Sequence, residues 1–86
     1  MNTVEQLHRR LAVLDPVAID IEDESARHAG HAGAASGGHY RLAIVSARFA
    51  GLSTAARHRL VYQAVGDLMA NGIHALSITA RTPEER

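Results

Sequence analysis

In the stretch Val17-Ala18-Ile19-Asp20-Ile21-Glu22 (residues 17–22), branched apolar side chains fall at 17, 19 and 21 and carboxylates at 20 and 22. A period of two is that of a strand with one wet face and one buried face. Upstream, Val4, Leu7, Leu11 and Leu14 recur at helical spacing. Thr3 followed by Gln6 reads as a capping box at the start of that helix. Pro16 closes it, because a proline disfavours helical geometry at the preceding Asp15. Downstream, Ser25 to Gly38 consists largely of Gly, Ala, Ser and His with no periodicity, which predicts a long, mobile hairpin loop. A second strand is expected from His39 to Ser46, with Tyr40, Leu42 and Ile44 on one face and Arg41 on the other.

After Phe49 and Gly51, Ser53 is placed to cap a short helical turn through Arg57. A main helix follows, with the apolar stripe Leu60, Val61, Ala64, Val65, Leu68 and Met69. Asn71-Gly72 stops it, and Ile73 to Ala80 has the β-favouring character of a third strand. Thr82-Pro83-Glu84-Glu85 then carries the cap, first-turn proline and acidic residues of a helix start. The order is helix, strand, strand, helix pair, strand. This predicts an α+β fold in which residues 1–86 form a single domain around a three-stranded mixed sheet. A crossover between strands two and three is normally right-handed and makes them parallel. Helices cover one face; the other stays solvated, which accommodates Asp20, Glu22 and Arg41.

Composition narrows the function. The chain has 86 residues, no cysteine, six histidines, and nine acidic against nine basic residues. A chain of this size buries only about 60–65% of its unfolded surface, which favours a binding role over a strained, deeply buried catalytic centre. Balanced charge argues against strong unspecific nucleic-acid binding through counterion release. No run is long enough to span a bilayer and no secretory leader is evident, so a cytoplasmic location without membrane attachment is expected. Without cysteine, no thiolate serves as nucleophile or metal ligand, and soft-metal chemistry must borrow sulfur from elsewhere. Every basic residue is Arg. The histidines stand out more, because imidazole is the commonest metal ligand and titrates near neutrality. His28 and His31 lie in the Gly-rich loop, His74 begins strand three, His39 opens strand two, and His58 sits between Arg57 and Arg59. His39 is placed to point toward the same end of the sheet, although a structural hydrogen bond is the favoured role for it, and no role is assigned to His8. No Walker loop, catalytic triad, paired-carboxylate site or dinucleotide fingerprint is present at convincing spacing, so no enzymatic activity is expected.

Three stretches together resemble the BolA family. They are Asp23-Glu24-Ser25 with His28-Ala29-Gly30-His31-Ala32-Gly33; His39-Tyr40 leading to Val45-Ser46 and Phe49-Ala50-Gly51; and Arg57-His58-Arg59-Leu60-Val61-Tyr62 followed by Ile73-His74-Ala75-Leu76. In this order they cover nearly the whole chain. The family often places a tryptophan or a longer helix after its Thr-Pro pair, where this sequence reads Glu84-Glu85-Arg86.

The resemblance implies a type II KH-like arrangement, αββααβ(α). It also implies a partner of monothiol glutaredoxins that carry a Cys-Gly-Phe-Ser site. Members of the histidine type supply two ligands to a bridging [2Fe-2S] cluster. One matches His74 here; the other, in the loop after Asp-Glu-Ser, matches His28, with His31 as the alternative. The remaining thiolates would come from the glutaredoxin cysteine and a bound glutathione, so no cofactor is expected in the isolated protein. Two imidazoles can replace two thiolates on one iron. Ligation needs neutral imidazole, so acidification should weaken such a complex. Arg57, His58 and Arg59 would shape the nearby partner or nucleic-acid surface, and a homodimer is left open.

A second expectation is a DNA-binding transcriptional regulator, since some bacterial BolA proteins resemble transcription factors in role and the helices around Arg57 can be drawn as a helix-turn-helix. A third is that the loop histidines bind zinc or copper without a partner. Gly30-His31-Ala32-Gly33 matches the GxxG that clamps nucleic acid in KH domains. That clamp joins two helices, whereas this segment is expected to join two strands.

Overall fold

Asn2, not Thr3, caps the first helix. In the computed structural model, which describes residues 1–25 and 38–86, the Glu5 backbone N–H donates to Asn2 Oδ1 at 2.9 Å. Gln6 donates its side-chain N–H to the Met1 carbonyl rather than closing a box on Thr3. Helix α1 runs Thr3–Leu11 and tightens into a 3-10 turn, Ala12–Leu14. Asp15 then leaves the right-handed region, which the following proline disfavours, for the left-handed one at φ 51°, a conformation Asp tolerates better than most residues.

Three strands follow the predicted order: β1 Ala18–Asp23, β2 Gly38–Val45 and β3 Ile73–Arg81. The central β2 pairs antiparallel with β1 and parallel with β3. Register aligns apolar rows across the sheet: Ile21, Leu42 and Ile78 in one, Ile19, Ile44 and Ala80 in the next. These rows face the helices and, with Leu7, Leu11, Phe49, Val61 and Val65, make the core. The opposite face carries Asp20, Glu22 and Arg41, all exposed. Val17, expected to be the first inward residue of β1, precedes the strand and is 61% exposed.

The expected helix pair is one helix. Ser53 caps α2, Thr54–Val65, through its hydroxyl and the Ala56 N–H, and the helix continues unbroken past Arg57. Its flanks are 3-10 turns, Ala47–Phe49 and Gly66–Met69. The helix-turn-helix drawn around Arg57 therefore does not form, because Arg57 lies in the first turn of a continuous element. Thr82 is the N-cap of a final 3-10 turn, Pro83–Glu85, as the sequence suggested, and its backbone N–H donates to Glu85 Oε1 at 2.8 Å to close a capping box.

Candidate functional site

β2 and β3 are parallel and so begin at the same end of the sheet, where β1 finishes. Pairing there is irregular. Gly38 faces Ile73 while His39 faces Ala75, leaving His74 as the extra residue of a β-bulge in β3. Bulges re-aim a side chain, and they are over-represented next to functional sites. Here Ile73 still enters the core, at 5% exposure, while His74 and Ala75 are both exposed. The His74 ring lies beside that of His39, with centroids 5.0 Å apart and planes tilted by 47°.

His39 is held through its backbone. Its N–H donates to Ser25 Oγ at 3.1 Å, and its carbonyl accepts from Glu24 N–H at 2.7 Å. Ser25 is in turn fixed by donating its N–H to Asp23 Oδ1 at 2.9 Å. Hydrogen bonds from Ser25 hold the Asp23 carboxyl below the usual carboxylate range. Asp-Glu-Ser thus closes the base of the segment that follows. Gly38 is equally constrained, since a Cβ there would stand 2.5 Å from Tyr40 Cε2, and Tyr40 is buried. Beside the pair, Glu24 Oε2 meets Arg41 Nη2 at 3.1 Å.

The two loop candidates, His28 and His31, lie outside the described residues, as does the Gly30–Gly33 match. The segment that contains them does join β1 to β2. Among the described residues no group of three or more His, Asp or Glu is arranged to hold a metal ion. Among the described residues, His74 and His39 are the imidazoles the fold brings together. The sequence places His39 toward the same end of the sheet but favours a hydrogen bond for it; that two parallel strands open at one end is the signal that joins it to His74.

Arg57, His58 and Arg59 separate in space. The Arg57 guanidinium donates to the Leu52 and Ala80 carbonyls at 3.0 and 3.1 Å and forks onto Glu85 at 2.6 and 2.9 Å. It ties α2 to the chain's last turn and is committed internally rather than offered to a partner. His58 and Arg59, with Ala55, Tyr62 and Gln63, line a shallow concavity on the outer side of α2. Tyr62 is 42% exposed there.

The Arg57 fork, helped by the Thr82 N–H, pulls the Glu85 carboxyl from its ordinary 4.5 down to about 2. A folded value below the unfolded one contributes stability that is complete above pH 4.5 and fades as pH falls toward 2. Glu85→Gln should therefore lower the melting temperature modestly at pH 7, with the difference from the parent shrinking as pH falls from 4.5 toward 2, as thermal unfolding followed by circular dichroism would read; a difference that does not shrink would show that the ion pair is not its source.

Comparison with known proteins gives a consistent picture. The family model described as BolA-like protein matches residues 11–85. SufE-like protein 1, chloroplastic/mitochondrial, of Arabidopsis thaliana is 49% identical over 78 residues, covering 84% of this chain and 21% of that protein. BolA-like protein 1 of Mus musculus is 43% identical over 72 residues, covering 84% of this chain and 51% of that one. The DNA-binding transcriptional regulator BolA of Vibrio cholerae is 44% identical over 70 residues, covering 81% and 64%. The chain thus spans about half the length of the mouse relative and a fifth of the plant one. Among solved structures, BolA1 from Arabidopsis thaliana superposes with a TM-score of 0.87 at 39% identity, covering 100% of this chain and 97% of that one.

Proposed function

Because the chain belongs to the BolA-like protein family, we propose that it is a non-enzymatic partner of monothiol glutaredoxins, lending histidine ligands to a shared [2Fe-2S] cluster in a cytoplasmic setting. The supporting observation is the bulge that lifts His74 off the core at the sheet end where Asp23-Glu24-Ser25 delivers the loop. The donor set suits the group. A chain with imidazole nitrogen donors and no cysteine thiolate fits the half of a cluster that imidazoles can occupy. His74 and His28 would hold the iron, with His31 the alternative to His28. The cluster would supply the coordinate link between two proteins; this chain supplies orientation, with His74 set by the bulge and the loop closed at its base.

Co-expression with a monothiol glutaredoxin should yield a coloured heterodimer whose visible circular dichroism differs from that of the glutaredoxin homodimer. In His74→Ala that signature should be lost altogether. An unchanged spectrum in the variant would remove the proposal.

The name of the Vibrio relative supports a second reading, sequence-specific DNA contact by the outer side of α2, where His58 and Arg59 lie. If phosphate contacts carry it, affinity for promoter DNA should fall steeply as salt rises, with log–log slope near the number of phosphates neutralised. A salt-independent or absent interaction would exclude it.

A further inference from the structure

We infer that His39 and His74 form a two-imidazole site for one divalent transition-metal ion, able to hold that ion without the loop histidines. With a metal–nitrogen bond of about 2.0–2.1 Å and the ring centre about 1.1 Å behind the nitrogen, two imidazoles at a square or tetrahedral angle have centres about 4.5–5.2 Å apart. The rings here are 5.0 Å apart and tilted rather than stacked flat.

Both ligands are also set by the backbone. His39 is bonded through its N–H and its carbonyl to Ser25 and Glu24, and His74 is turned outward by the bulge. A pair fixed in this way needs little ordering to close on an ion. Imidazole nitrogen selects zinc, copper or nickel rather than magnesium or calcium. Two protein ligands leave the remaining positions to water or to donors from another chain, so the site accepts an ion readily and surrenders it readily. His39 becomes the donor that keeps hold beside His74 while a ligand from another chain exchanges on and off.

This inference rests on the proposed function only in sharing His74, and it is tested on the isolated chain with a metal salt alone. Calorimetric titration with zinc chloride near neutral pH should show one ion per chain. The double variant His28→Ala/His31→Ala should bind within threefold of the parent. His39→Gln and His74→Gln should each weaken binding at least tenfold, with far-ultraviolet circular dichroism unchanged. Should His39→Gln perturb the fold, imidazole resonances of the parent give the same answer, because zinc must shift those of residues 39 and 74 together. No binding by the parent, loss of binding in the loop double variant, or a stationary His39 resonance would each overturn the inference. A parent that binds zinc through this pair but forms no cluster with a glutaredoxin would leave it standing and defeat the earlier proposal instead.

Discussion

Replacing Phe49 with alanine should lower the unfolding free energy by about 3–5 kcal/mol, the range for emptying a fully buried aromatic position. Phe49 is the sole phenylalanine of the chain and has no exposed surface. It is delivered into the core by the 3-10 turn that follows β2, so its ring is bounded by sheet and helices and the cavity cannot collapse cheaply. Domains hold roughly 0.05–0.15 kcal/mol per residue of net stability. For a chain this short, the loss is a large share of the whole. Urea unfolding should show a midpoint shifted far downward with an unchanged slope, and Phe49→Leu should recover more than half of the difference. A loss below about 1 kcal/mol would show that the core is organised elsewhere.

Ser46→Ala should cost about 1–3 kcal/mol, much more than an exposed serine would. The Ser46 hydroxyl is fully buried, donates to the Leu14 carbonyl at 2.6 Å and accepts from Arg48 N–H at 3.1 Å. Alanine fills nearly the same space and strands the buried Leu14 carbonyl away from water, so the penalty is that of a desolvated, unpaired group and not of packing. It also cuts the tie between the turn after α1 and the exit of β2. Urea titration of the variant gives the number, and a value near zero would mean that Leu14 and Arg48 find other partners at no cost.

Much of this fold was readable from local patterns. Alternation at Ile19–Glu22 and Tyr40–Ile44 set the faces of β1 and β2, and a right-handed crossover set β3 parallel to β2. Short-range chemistry also located the terminal cap at Thr82. What escaped notice depends on distant pairing. Asn2 displaced Thr3 as cap because the helix entered one residue earlier than its apolar stripe suggested. Ser53 opened a single helix, since no breaker stands between Arg57 and Val65. Arg57 looked like surface charge because its acceptors, Ala80 and Glu85, lie more than twenty residues away. For the site, the family resemblance singled out His74, whereas its neighbour His39, though placed toward the same sheet end, was given a hydrogen bond as its favoured role. A slip of one residue between Gly38 and His39 leaves no trace in residue types, and that slip is what stands two imidazoles side by side.

The hydrogen bonds that join Glu24 and Ser25 to His39 also bear on chain closure. They pin residues 24 and 25 against residue 39, so the two chain ends meet at a junction the sheet itself provides. For a flexible connection tied at such a junction, each doubling of length costs only about 0.6 kcal/mol, so a longer insertion there should lower stability by a similarly small amount.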